Sequence, residues 1–205
     1  MGFYDDKVLP RLVDRVCGMA ELRPLRQEVV QGLRGDVVEI GFGSGLNLRY
    51  LDADEVDKLL VIEPNDTARR LGEERTARSD VPVEFLGLDG QALPLEDGSV
   101  DAVLSTFSLC TIPDVDTALR EVRRVLRSGG ELHFLEHGLS PDPKVARWQH
   151  WLTPIQRKVA GGCHFDRPIA DLVTGAGLEM TALRNTHLKG PKFPGYIFLG
   201  TATKS

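Results

Sequence analysis

The run Val37-Val38-Glu39-Ile40-Gly41-Phe42-Gly43-Ser44-Gly45 constrains this chain more than any other stretch. A short apolar segment containing one acid leads into three glycines, each separated by one residue. That pattern reads as a buried parallel strand breaking into a tight turn and then a helix. Glycine suits the turn because it accepts φ values that other residues resist. Its missing side chain also lets a ligand approach the backbone. A helix after the turn would aim free N–H groups at that ligand. The spacing excludes two common ligand loops. A dinucleotide fingerprint needs a third small residue at position 46 or 48, where Leu46 and Leu48 stand. A P-loop needs a following Gly-Lys-Ser/Thr, which is absent.

The 205 residues, 41% of them hydrophobic, are enough for one domain with a sizeable core. A net charge of −5 argues against wholesale nucleic-acid binding, which shows as a basic face. The 3 cysteines, Cys17, Cys110 and Cys163, are too sparse for a disulfide framework, and no pair has zinc spacing. Reduced thiols in the cytoplasm and no metal are therefore expected. No signal peptide is expected, and Asp6 occupies the Ser/Thr position of a myristoylation site. No apolar run approaches the roughly 18 residues of a membrane span.

Along the chain, Val8, Leu9, Leu12, Val13 and Val16 predict a helix over 5–19, and a second runs from Pro24 to Leu33 and ends at Gly35. These helices either cover the sheet or form a lid, with Tyr4 near the pocket. A helix over 46–51, a strand over 58–62 and a helix over 67–77 follow. Strands over 83–87 and 100–104 come next. A helix capped by Asp114 or Asp116 should then run through Leu126 to the Gly129-Gly130 turn, and its basic residues read as a solvated face. A strand over 132–135 follows, and two more cover 178–185 and 196–203, joined by a loop over 189–195. Strands alternating with helices imply an α/β fold: a doubly wound, seven-stranded, mostly parallel sheet with the last strand antiparallel. Ligands bind at the carboxyl ends of such strands, where Glu39, Glu63, Asp89, Ser105 and Glu136 fall.

The E-I-G-F-G-S-G loop resembles that of class I S-adenosylmethionine (SAM)-dependent methyltransferases. Asp89-Gly90-Gln91-Ala92-Leu93-Pro94-Leu95, then Asp97-Gly98-Ser99-Val100-Asp101, resembles their D-A-x-x-L-P-F…S-F-D signature (the methyltransferase type 11 domain), and 118–130 resembles their helix and Gly-Gly turn. Phe107-Ser108-Leu109-Cys110-Thr111-Ile112, Leu135-Glu136-His137, Gln149 in a tryptophan-rich segment, and Gly162-Cys163 narrow the resemblance to the methyltransferase-like thiol S-methyltransferases, which methylate small alkyl thiols and often begin with a membrane anchor.

The resemblance implies a helical cap over 1–34, a SAM-binding core over 35–137, an acceptor-site segment over 138–177 and a terminal strand pair over 178–205. It implies a donor site formed by Glu39, Gly41, Gly43, Ser44, Gly45, Asn47, Glu63, Pro64, Asn65, Asp89, Gly90, Gln91, Ala92, Ser105, Thr106 and Phe107, with S-adenosylhomocysteine as product. Glu63 would accept the ribose hydroxyls and Asp89 the adenine amino group. The acceptor is expected to be a small molecule, preferably a thiol. The alternatives are N, O or C of a lipid, quinone or other small molecule, or a SAM-binding regulator without turnover. Transfer by in-line displacement asks the protein to position two reactants and exclude water, with no covalent enzyme nucleophile. A thiol of pKa about 8.5 benefits from a base or a positive environment. His137 is the first candidate, followed by His164 and Asp166. Cys110 and Cys163 read as packing thiols, and His133 as structural. Trp148, Trp151, Leu152, Ile155 and Val159 lie at helical spacing with a kink at Pro154, and read as core packing or a pocket wall.

Overall fold

The computed structural model describes residues 2–188 and 195–205, so most of the connecting loop expected over 189–195 lies outside the described residues. Seven strands form one sheet in the order β3-β2-β1-β4-β5-β7-β6. They are β1 (Gly35–Ile40), β2 (Val56–Ile62), β3 (Val83–Gly87), β4 (Val100–Thr106), β5 (Leu126–His137), β6 (Glu179–His187) and β7 (Tyr196–Thr203). All neighbours pair parallel except β7, which runs antiparallel to both β5 and β6. The helices are α1 (Leu9–Cys17), α2 (Arg23–Val29), α3 (Asp66–Ala77), α4 (Val115–Val125), α5 (Pro143–Val159) and α6 (Ile169–Gly175).

Successive strand residues point to opposite faces, so each apolar strand run feeds two cores. Val38, Ile40, Leu60, Ile62, Val103 and Phe134 pack with Leu119 and Val122 of α4 and Ile169 and Val173 of α6. Val37, Leu59, Val61, Ala102 and Leu104 pack with Leu22 and with Leu25 and Val29 of α2. Glu39 and Thr106 fall on the α2 face by the same alternation, whereas Ser105 and Glu136 fall on the α4 face. Asn65 caps α3 by accepting from the N–H groups of Thr67 and Ala68, and Asp114 caps α4 by accepting from Thr117.

Several expected elements differ. No α-helix follows the glycine loop; residues 48–50 make one 3₁₀ turn. Asn47 enters that turn with helical backbone angles and a buried side chain, and the turn stops at Leu51, whose backbone is already extended. The second helix ends at Val29, and Gly35 opens β1 instead of closing a helix. Gly129-Gly130 is a bulge inside β5, where a Cβ on Gly130 would lie 2.9 Å from the Asp101 carbonyl oxygen. The first helix begins with a π-turn over Tyr4–Val8, and Leu12, Val13 and Val16 of α1 are exposed. On α5 the apolar stripe is not core: Trp148, Trp151, Ile155 and Val159 are exposed and Leu152 is half-buried. Its buried positions are Val145, Gln149 and Thr153. Gln149 accepts from the Ser140 N–H and donates to the Gly138 carbonyl, so a polar residue faces inward because the chain beneath it needs hydrogen bonds.

This packing predicts a contrast. Leu119→Ala, at a fully buried site, should cost roughly 2–5 kcal/mol in urea unfolding. Leu12→Gln, on the open face of α1, should stay within about 0.5 kcal/mol.

Candidate active site

The three glycines of the loop have different work. All have positive φ: 74° at Gly41, 58° at Gly43 and 73° at Gly45. A Cβ on Gly41 would fall 2.0 Å from Ser108 Oγ, and one on Gly45 would fall 2.7 Å from the Phe42 ring. Those two are glycine because neighbouring groups fill the space. A Cβ on Gly43 would meet nothing nearer than the Gly41 carbonyl at 4.0 Å, so the space over Gly43 is open. The loop is tied to β2, where Gly41 and Phe42 donate to the Ile62 carbonyl. Glu63, which follows β2, accepts from the Gly43 N–H at 2.7 Å and the Asn65 N–H at 2.8 Å. Burial raises its pKa against those two hydrogen bonds. Pro64 is exposed beside it, while the Asn65 side chain is committed to the α3 cap.

Beneath the loop lies a buried polar network. Asn47 donates to Glu39 Oε1 at 2.6 Å and to Thr106 Oγ1 at 3.0 Å. Arg26, on α2 and only 4% exposed, donates to Asn47 Oδ1 at 2.7 Å and Thr106 Oγ1 at 3.1 Å. Glu39 Oε2 is buried with no hydrogen-bond partner. Complete burial pushes the Glu39 carboxyl up to about 8, against the opposing pull of Asn47 and Arg26.

A second buried acid organises the loop after β4. Glu136 Oε1 accepts from Ser105 Oγ at 2.7 Å, the Ser108 N–H at 2.9 Å and the Leu109 N–H at 3.1 Å, and Oε2 accepts from the Cys110 N–H at 3.1 Å. Ser105, named as a donor-site residue, is fully buried with its hydroxyl turned to Glu136. Phe107 has φ 58°, the one positive value at a non-glycine among the described residues. Its ring lies 4.7 Å from the His137 ring and 5.6 Å from the Arg26 guanidinium. At the far side of β1, exposed Asp89 accepts from the Gln91 N–H at 2.8 Å. Gly90 stands where a Cβ would press on Ile40 at 2.8 Å, and Ala92 is exposed.

His137, closing β5, meets two thiols. Its Nδ1 is 3.9 Å from Cys110 Sγ and 3.8 Å from Cys163 Sγ, and the sulfurs are 3.6 Å apart. Cys163 is pulled below its usual range by Cys110 and His137, whereas Cys110, wholly buried, is pushed well above it by Cys163 and desolvation. His164 braces the cluster from behind: its N–H donates to the Cys110 carbonyl at 2.7 Å, and its Nδ1 lies 3.1 Å from that oxygen. Asp166 turns away to His150 on α5, at 2.9 Å. The fold thus brings His137 and His164 together and sets Asp166 apart. The meeting of Cys110 and Cys163 and the inward reach of Arg26 were not anticipated. The Gly162-Cys163 element of the family resemblance was the one available signal.

The first helix lies across this edge. Asp14 accepts from Ser44 Oγ and from Arg75 Nη1, the latter at 2.9 Å, and Arg75 also donates to the Ser44 carbonyl at 2.8 Å. At the other end, Tyr4 donates to the Val159 carbonyl at 2.8 Å. Of the two alternatives for the N-terminal helices, α2 covers the sheet and α1 spans from the glycine loop to the end of α5.

Strand order, antiparallel β7 and a glycine loop closing β1 together define the architecture of class I methyltransferases. Residues 38–134 match the methyltransferase domain family. The chain is thus a member of the class I SAM-dependent methyltransferase superfamily. It is 31% identical to thiol S-methyltransferase TMT1B of Homo sapiens over 149 residues, covering 67% of this chain and 59% of that protein. It is 43% identical to the ubiquinone/menaquinone biosynthesis C-methyltransferase UbiE of Hahella chejuensis over 65 residues, 32% of this chain and 26% of that protein. A solved putative methyltransferase from Bacillus halodurans shares the fold with a TM-score of 0.70 at 16% identity, covering 91% of this chain and 99% of that one. The chain spans 54 to 64% of the length of the thiol S-methyltransferases it matches. Among the described residues, no helix is long and apolar enough to cross a membrane.

Two outcomes test this geometry. Gly43→Ala should cost roughly 1–2 kcal/mol, the penalty of positive φ alone. Gly41→Ala adds the collision with Ser108 and should cost roughly 2–5 kcal/mol in the same urea measurement. The second concerns pH. The folded carboxyl of Glu39 titrates near 8 against an ordinary 4.5. The folded state therefore holds the proton more tightly between those values, and stability falls as pH rises from about 4.5 to about 8. Glu39→Gln should flatten that part of the slope when unfolding is measured across the range.

Proposed function

We propose that this chain transfers a methyl group from SAM to a small thiol. Two features of one loop carry the donor half of this reading: the open space over Gly43, whose N–H is held by Glu63, and Glu39 on the strand leading into the loop, whose Oε2 is buried and partnerless. A partnerless buried carboxylate oxygen suits a cationic ligand, because the charge that burial penalises is then paired. SAM supplies a methyl group activated by a positively charged sulfonium.

In this reading Gly41, Gly43, Ser44 and Gly45 form the cradle, and Glu39 with Asn47 faces the cationic end. Glu63, on the Pro64-Asn65 turn, receives the ribose hydroxyls in place of its present N–H partners. Asp89, Gly90, Gln91 and Ala92 border the adenine. Thr106 and Phe107 carry the wall from the donor toward the acceptor. Ser105 acts through Glu136 as a positioning residue. His137, Cys110 and Cys163 form the acceptor end, with His164 behind Cys110 and Asp166 outside. Helix α1, latched by Asp14, excludes water.

The thiol S-methyltransferase relatives favour a thiol acceptor, and the short UbiE match favours a second reading in which carbon of a quinone-like ring is methylated. A cytoplasmic setting, which keeps Cys17, Cys110 and Cys163 reduced, belongs to the same proposal, as does a small-molecule partner rather than a nucleic acid.

The test is methyl transfer from labelled SAM across a panel of alkyl thiols, phenols, amines and quinones. Methylation of thiols is expected. Product confined to quinones or phenols would favour the second reading, and SAM binding with no product would indicate a regulator. In thermal unfolding, SAM at 100 times its dissociation constant should stabilise the protein by about 2.7 kcal/mol. NAD should not. Stabilisation by NAD alone would remove the donor site as drawn.

A further inference from the structure

Cys110, His137 and Cys163 come from three separate places: the loop after β4, the end of β5 and the turn after α5. Their donor atoms form a triangle with edges of 3.6, 3.8 and 3.9 Å. A tetrahedral zinc ion with Zn–S of about 2.3 Å and Zn–N of about 2.0–2.1 Å sets S···S at about 3.8 Å and S···N at about 3.6 Å. The observed triangle therefore matches one face of such a site to within about 0.3 Å. A disulfide would need the sulfurs at about 2.05 Å.

The donor set is selective. Two thiolates and an imidazole suit zinc, and the absence of a carboxylate from the triangle disfavours magnesium and calcium. Each donor is held from behind. Glu136 grips the backbone of Cys110, and the His164 N–H joins the turn of Cys163 to the Cys110 carbonyl. Phe107 and Phe165 flank the His137 ring at 4.7 and 5.4 Å, giving the apolar shell that such sites use to control solvent. The expectation of no metal rested on local cysteine spacing, and a site assembled from residues 110, 137 and 163 has none.

Three protein ligands leave a tetrahedral ion one position short, the arrangement of reactive rather than structural zinc sites. We propose that Cys110, Cys163 and His137 hold a zinc ion, and that its fourth position takes the sulfur of the acceptor thiol. The second clause rests on the thiol reading above. Binding the ion releases the two cysteine protons to solvent. Binding the acceptor releases a third, leaving its sulfur as a metal-bound thiolate at neutral pH, with no oxidant or reductant required. In this arrangement His137 Nδ1 is a ligand and does not act as a base.

The experiment uses the full chain, reduced, stripped with chelator and desalted without oxygen. Metal analysis after equilibration with zinc should find one ion per chain. Cobalt(II), as a spectroscopic substitute, should give thiolate-to-metal charge-transfer absorption and intense tetrahedral d–d bands, and a small alkyl thiol should shift them. Cys163→Ser and His137→Gln should weaken binding by more than the roughly 10–100-fold that even an outer-shell change costs. Cys17→Ser should bind normally. If either variant at the site misfolds, alkylation of the wild-type protein decides: zinc should protect Cys110 and Cys163 and leave Cys17 unprotected. No bound zinc, a cobalt spectrum without thiolate bands, or equal alkylation with and without zinc overturns the metal site. Cobalt bands that ignore added thiol overturn the fourth-position assignment. Zinc binding without thiol methylation would leave the site and overturn the thiol reading. Undiminished thiol methylation by metal-free protein would keep the thiol reading and overturn the fourth-position assignment.

Discussion

The buried carboxylate of Glu136 is the constraint on which the candidate site depends. It gathers three successive backbone N–H groups, of Ser108, Leu109 and Cys110, and the Ser105 hydroxyl. Each N–H left without a partner in that dry setting would cost about 1–3 kcal/mol, so the loop has one strongly preferred course. That course forces Phe107 into positive φ, brings Ser108 against Gly41 and delivers Cys110 to His137. Glycine at 41 and strain at 107 are thus two results of one anchored loop.

The opposite face of the sheet has its own polar anchor. Arg26 enters from α2 among Leu22, Leu25 and Val29, and reaches Asn47 and Thr106. Through Asn47 it also governs Glu39. This chain of bonds satisfies every member except one oxygen of Glu39, and an incomplete buried network is where a ligand gains most by binding.

The strands β1, β2 and β5 were legible in the sequence because each is an apolar run that reaches an acid, Glu39, Glu63 or Glu136, and β4 was legible as a short apolar run. Glu39 and Glu63 were legible for the same reason. What escaped was whatever depends on the far side of a contact. Helical periodicity identified apolar stripes on α1 and α5 but not whether anything covers them. On α5 the covered positions include Thr153, whose hydroxyl donates to the Gln149 carbonyl, and Gln149 itself, selected by backbone groups at 138 and 140 that only the fold brings near. The expected helix after the glycine loop is cut to one 3₁₀ turn because the chain is already extended at Leu51, and Asn47 beside it serves three buried partners that periodicity does not show. Cys110 and Cys163, separated by 53 residues, gave no local pattern for their meeting.

Helix α1 is held through Leu9 at its start, through Asp14, and through the Cys17 carbonyl, which accepts from Arg26, and it leaves Leu12, Val13 and Val16 in solvent. An element with so much of one face open to solvent has few buried apolar contacts, which places it toward the less stable end of the local openings a fold allows, while its bond from Arg26 to the Cys17 carbonyl ties that opening to the buried polar network. In the reading proposed above, access to the donor site would then be governed by a local opening and not by global unfolding. Evolution can tune the rate of ligand entry and release at positions such as Asp14 while the melting temperature of the sheet stays where Leu104 and Leu119 put it.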